Sequence, residues 1–208
     1  MNIKSYVLSD NGNNLFGTNN DARLIYNLFY RFYLKNKNLW NVPELFLNNV
    51  VKNIKYASII IIYFSGHSKK NGDIIILNNS YSIDYFLNLI NLNKKYCNVI
   101  FIIDTCYGDK FITKKKYKFI DRVEYFISMS DSNKSKEFLI DYNKDDYKYT
   151  NNKTTTKIVN GIFTYYFYKV LSSKKYDVNN WFKIKNSNIW KYVKIQFNQE
   201  LFYFSNTN

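Results

Sequence analysis

The 208-residue chain holds one histidine, two cysteines, one proline and six glycines, and three of its 30 basic residues are arginine. Two cysteines exclude a disulfide scaffold and point to a reducing compartment. With a single histidine beside them, they cannot supply the usual Cys/His ligand set of a structural zinc site. So little proline and glycine excludes collagen-like and low-complexity architectures, and a 46% hydrophobic content excludes whole-chain disorder. Scarce arginine argues against sequence-specific nucleic-acid reading, which leans on bidentate arginine contacts to bases. A net charge of +14 raises affinity for any polyanion. Part of that charge follows codon bias, because Lys, Asn, Ile, Tyr and Phe share A/T-rich codons. No specific nucleic-acid partner is expected. The first 14 residues lack the apolar core of a signal peptide, and the longest strongly apolar stretch, residues 57–64, is too short to span a bilayer. A soluble, cytoplasmic protein with no membrane partner is expected.

The length fits one domain of 1–208 that buries enough surface to need no staples. Strand and helix patterns alternate along it. Residues 3–8 read as a strand, and Asn20 or Asp21 can cap a helix with Ala22, Ile25, Leu28, Phe29 and Phe32 at helical spacing. Pro43 fits the first turn of a second helix over 43–52, with Leu45, Val50 and Val51 inward. The unalternating β-branched run at 57–64 suits a strand buried on both faces, as in a parallel sheet. A short strand at 73–77, a helix opened by Ser82, and strands at 99–103 and 123–129 follow. Residues 131–160, dense in Asn, Asp, Lys and Thr, read as a mobile loop between a larger part (1–130) and a smaller one (161–208). Helices at 161–171 and 187–198 and a last strand at 201–205 complete an α/β fold with a mostly parallel sheet.

In such sheets, ligands and reactive groups gather beyond the carboxyl ends of the strands. One buried strand ends in Ser65-Gly66-His67, with the chain's sole histidine, and another in Asp104-Thr105-Cys106-Tyr107-Gly108. If those strands are neighbours, a base and a thiol share one edge. An imidazole beside a thiol raises its reactive fraction or takes its proton, and flanking glycines leave peptide N–H groups open to an oxyanion. A free cysteine by itself is commonly a buried core thiol. Cys97, with no histidine motif near it in sequence, takes that reading, whereas the matching His67 favours the reactive reading for Cys106.

Tyr63-Phe64-Ser65-Gly66-His67 followed by Asp104-Thr105-Cys106-Tyr107-Gly108 resembles the His and Cys motifs of the caspase-fold cysteine peptidases, peptidase family C14. The interval from His67 to Cys106, 39 residues, suits a compact member. Metacaspases resemble it best. Gly17-Thr18-Asn19-Asn20-Asp21-Ala22 is similar to their first-helix segment. Ile127-Ser128-Met129-Ser130 is similar to the strand after their cysteine, and Gly161-Ile162-Phe163-Thr164 to the start of their small-part helix. The resemblance runs from about Tyr6 to Phe204, and five short motifs in order are specific where each alone is weak.

The resemblance implies a caspase-like three-layer sandwich and a cysteine endopeptidase, with His67 as base and Cys106 as nucleophile. The amides of Ser68 and Cys106 would form the oxyanion hole. It implies a specificity pocket with Asp21, Asp104 and Ser65, hence protein or peptide substrates cut after Lys or Arg. Two carboxylates in a closed pocket favour a cation and exclude an aspartate. A helix cap for Asp21 and a strand-end turn for Asp104 are the plainer readings. The sequence departs from the pattern at Ser68, where the family has glycine, and at Cys106-Tyr107-Gly108-Asp109. It carries no clear counterpart of the acidic calcium cluster around residues 72–84, so no metal and no cofactor are expected.

The transamidase and legumain cousins would bring secretory signals. Lys134, Lys136, Lys144, Lys148, Lys153 and Lys157 make the 131–160 segment a candidate for autoprocessing. A catalytically weak regulator that binds a protease or cell-death partner is the alternative reading.

Overall fold

The structure is a computed structural model, and it describes residues 2–10, 12, 15, 17–47, 54–130, 137–141, 157–173 and 178–207. Among these lie β1 (Ile3–Ser9), α1 (Thr18–Lys35), β2 (Glu44–Leu47), β3 (Ile59–Ser65), β4 (Ile74–Ile76), β5 (Asn79–Tyr81), α2 (Ile83–Asn91) and β6 (Cys97–Asp104). After them come β7 (Ile120–Ser130), β8 (Glu137–Asp141), β9 (Lys157–Gly161), α3 (Ile162–Ser173), α4 (Ile189–Phe197) and β10 (Gln199–Thr207). Two 3₁₀ segments, Gly108–Lys110 and Val178–Asn186, join them.

One six-stranded sheet, ordered β10-β7-β6-β3-β1-β2, organises the molecule. Every pairing is parallel except that of β10 with β7. The expected α/β fold with a mostly parallel sheet is present. The β-branched runs are continuous because both faces of the central strands are covered. Ile59, Ile61 and Tyr63 of β3 and Ile100 and Ile102 of β6 pack with α1, α3 and α4 on one face. Ile60, Ile62 and Phe64, with Val99, Phe101 and Ile103, pack with α2 on the other. Each such side chain, fully buried, contributes about 1.5–3 kcal/mol. The layers are therefore helix, sheet, helix.

Four sequence readings change. Residues 44–47 are a strand, not the start of a helix. Parallel pairing with β1, Tyr6 opposite Glu44 through Ser9 opposite Leu47, outweighs local helix propensity. Lys4 Nζ adds a 2.5 Å ion pair to Glu44. Pro43 is tolerated just before an edge strand, and the rest of the expected helix, residues 48–52, lies outside the described residues. The cap of α1 is Gly17, without a side-chain cap bond; Asn20 and Asp21 sit inside the first turn. Within the segment read as a loop, β8 and β9 form an antiparallel hairpin. Its lysines lie outside the described residues except for the backbone of Lys157. The short strand at 73–77 belongs to a two-stranded hairpin, β4 with β5, turned by Leu77 and Asn78 in the left-handed region (φ 49 and 63). Ser82 does cap α2, its hydroxyl accepting from Tyr85 N–H at 3.3 Å.

No helix among the described residues is long and apolar enough to cross a membrane.

Candidate active site

Strands β3 and β6 are hydrogen-bonded neighbours, and their register pairs Ser65 with Asp104 at the last rung. His67 and Cys106 therefore each emerge two residues past one rung of one ladder, on the carboxyl edge of the sheet. Cross-bonds hold the two exits together. Gly66 N–H donates to the Asp104 carbonyl at 3.3 Å, and the buried Thr105 hydroxyl donates back to the Gly66 carbonyl at 2.7 Å. The Ser68 hydroxyl donates to the carbonyl of Cys106. Ser68 thus ties the histidine loop directly to the backbone of Cys106.

His67 and Cys106 are both half-buried, and Cys106 is a free thiol. Tyr107, next along, adopts the left-handed conformation (φ 54), which costs a side-chain-bearing residue about 1–2 kcal/mol. It leads into the 3₁₀ turn at Gly108, where Lys110 N–H bonds the Tyr107 carbonyl at 3.0 Å. The chain thereby leaves the strand abruptly and exposes the thiol side.

Ser68 forms an antiparallel bridge with Ile74 whose bonds run from Lys69 N–H to the Asp73 carbonyl and from Ile75 N–H to the His67 carbonyl. In that pattern the Ser68 amide points away from the ladder. Neither it nor the Cys106 amide has a hydrogen-bond partner among the described residues.

Behind the thiol lies a buried acid pair. Ser65 and Asp104 project to the α1/α3 side of the sheet, and Asp21 meets them from the first turn of α1. Asp21 is 1% exposed and Asp104 3%. Asp21 Oδ1 accepts from Asn160 Nδ2 at 2.6 Å and from Gly161 N–H at 2.9 Å, and Oδ2 accepts from the Ser65 hydroxyl at 3.0 Å. Asp104 Oδ2 accepts from the Thr164 hydroxyl at 2.7 Å and from its N–H at 3.2 Å.

Gly161 lies between the two carboxylates. A Cβ there would stand 2.3 Å from Asp104 Oδ2 and 2.9 Å from Asp21 Oδ2, so any side chain would displace the pair. Burial, then the neighbouring charge of Asp104, push the Asp21 carboxyl well above its ordinary range, and among the described residues no cation acts on it. The same surroundings push the Tyr63 phenol up: burial first, then the charges of Asp21 and Asp104. Its hydroxyl lies 2.6 Å from that of Thr164.

The fold thus brings together each residue singled out in the sequence. His67, Ser68 and Cys106 lie at the edge, and Asp21, Ser65 and Asp104 one layer below. The helix-cap reading of Asp21 gives way, because Asp21 sits in the first turn and accepts from β9, whereas Asp104 does end its strand before a turn. Sequence reasoning missed Tyr63, Asn160 and Thr164 as members of this cluster. Asn160 and Thr164 flank Gly161 in the stretch already singled out, and polar residues beside a glycine at a strand-to-helix junction were the available signal. Among the described residues, no group of three or more His, Cys, Asp or Glu side chains is placed to hold a metal ion.

A parallel sheet with a histidine and a free cysteine at adjacent strand ends has the layout of a cysteine hydrolase. The model of the caspase domain, peptidase C14, matches residues 1–199. The chain belongs to that family. No curated protein matches it.

Proposed function

We propose that the chain is a cysteine endopeptidase of the metacaspase type that cuts after Lys or Arg. The observation that carries this reading is that the only histidine and a free, half-buried cysteine each stand two residues past the last rung of one ladder. The Cys106 thiol yields its proton to His67 and its sulfur attacks the scissile carbonyl carbon. The displaced electron pair settles on oxygen, which the amides of Ser68 and Cys106 would hold. Collapse expels the amine, which takes the proton from His67 and leaves a thioester. Water then gives a proton to His67 and attacks the thioester; the acid product departs and the sulfur recovers its proton.

Specificity would come from Asp21 and Asp104 with Ser65. Two buried carboxylates repel one another and favour a proton between them, and a Lys or Arg side chain would allow both to ionise. Both are covered in this structure, so a substrate side chain reaches them only if their cover shifts. That cover favours a second reading, a catalytically weak regulator that binds a protease or cell-death partner.

Fluorogenic peptides ending in Arg, Lys or Asp, given to wild type and Cys106→Ala, separate the readings. The expected result is turnover of the basic peptides alone, lost in the mutant. Turnover of the Asp peptide would remove the acid pair from specificity, and silence on all three would favour the regulator. Incubating both proteins side by side tests autoprocessing between residues 131 and 160; identical intact bands would exclude it.

A further inference from the structure

The imidazole of His67 has no hydrogen-bond partner among the described residues, so its direction depends on the walls around it. One wall is the loop after β1. Gly12, at φ +47, lies so close that a Cβ there would stand 2.8 Å from His67 Cδ2 and 3.1 Å from Nε2. The residue's backbone is held separately, by the β4–β5 hairpin, whose Ile75 N–H donates to the His67 carbonyl at 2.9 Å.

A single carboxylate fastens both. Asp10 Oδ1 accepts from Gly12 N–H at 2.9 Å, and Oδ2 accepts from Leu77 N–H at 2.5 Å. Asp10 is itself anchored to β3 by its own N–H on the Ser65 carbonyl at 3.1 Å. It is buried, and no cation pairs with it among the described residues. Hydrogen bonds to a carboxylate are roughly twice as strong as neutral ones. They hold the two loops more firmly than an amide would, at sites where Gly12 and Leu77 take left-handed backbone angles.

We propose that Asp10 is a positioning residue for His67: it clamps both the loop against the ring and the hairpin that holds the ring's own backbone, and so sets the direction in which the imidazole faces Cys106. The proposal rests on the reading of His67 as the base.

The test is the pH dependence of iodoacetamide alkylation of Cys106, followed by peptide mass, in wild type, His67→Ala, Asp10→Asn and Asp10→Ala, beside peptide kinetics and melting curves. Asp10→Asn keeps one acceptor and turns an NH₂ toward a backbone N–H, so it folds while loosening the clamp. The expected result is an alkylation midpoint moved toward that of His67→Ala. A kcat about tenfold lower with KM within about twofold is expected beside it, and a larger change in Asp10→Ala.

A merely structural role would lower the melting temperature of both Asp10 variants and leave the alkylation midpoint at the wild-type value. That result overturns the proposal, and if Asp10→Ala does not fold, Asp10→Asn decides it. A wild-type profile identical to that of His67→Ala would overturn the dyad reading itself, and the role of Asp10 with it.

Discussion

Strand β6 begins with one cysteine and releases the other two residues past its end, and the two thiols meet opposite environments. Cys97 is 3% exposed on the α2 face, its thiol 3.7 Å from the Phe119 carbonyl, and burial, then the charge of Asp121, push it up to about 11. Cys106 is half-buried on a sharp turn, its backbone bonded to the loop that carries the only histidine. The residue type is the same and the strand is the same. What differs is the end. In a parallel sheet the carboxyl ends of neighbouring strands open onto loops that meet one another, so side chains from several strands converge there. At the amino end of β6, Cys97 is held by its pairing with β7 and by core side chains.

The sharpest way to break this contrast is to remove each thiol. Cys106→Ala is expected to lower turnover of basic peptides about a thousandfold or more, with the fold intact by thermal melting. Cys97→Ala should leave turnover within about twofold. A reversal would place the chemistry at the wrong end of the strand.

Alkylation gives the next effect. At about pH 8 only about a thousandth of Cys97 is thiolate, given a thiol pushed up to about 11. Iodoacetamide should therefore label Cys106 about a hundredfold faster, read by peptide mass. Equal labelling would mean that Cys97 opens to solvent.

The acid beside the reactive thiol sharpens the comparison further. Asp104→Asn is expected to weaken use of Arg and Lys peptides about tenfold, mostly in KM, by removing one buried charge. An unchanged KM for those peptides would take Asp104 out of the specificity pocket.

A smaller effect lies in stability. Because Asp21 is raised above its unfolded value of 3.8, the folded chain binds the proton more tightly than the unfolded chain. That stabilisation is full below 3.8 and is lost as pH rises through the raised folded value. Wild type should therefore lose melting temperature over that window relative to Asp21→Asn, whose curve should be flatter; parallel curves would contradict the buried pair. Last, Cys97→Ala should cost about 1 kcal/mol in denaturant unfolding, a core thiol's share and no more.

Much of this was legible in the chain itself. The both-face burial of β3 and β6 follows from runs of Ile, Val and Phe with no polar alternation, and the reactive ends follow from scarcity. With one histidine in 208 residues, its place after a buried strand narrows the chemistry to a single partner cysteine.

Less legible was whatever depended on a partner distant in sequence. Residues 44–47 carry no local mark that separates a strand from a helix, and pairing with β1 decides it. The strands of hairpin β8–β9 carry only short apolar runs, Phe138-Leu139-Ile140 and Ile158-Val159, at the ends of an otherwise polar segment, yet the hairpin binds α1. Glu137 Oε1 accepts from Gly17 N–H at 2.8 Å, and Asn20 Nδ2 donates to the Val159 carbonyl at 2.9 Å.

The sequence by itself determined the class of fold and the strand ends that bear the histidine and the half-buried cysteine, because those depend on local composition and rarity. Only the tertiary structure decided that Asp21, from α1, shares one buried site with Asp104 and Gly161. It alone decided that Asp10 holds two loops against His67, and that Ser68 bonds the backbone of Cys106. Each of these joins residues from separate elements, and such a contact exists only once the sheet has set the register that brings those elements together.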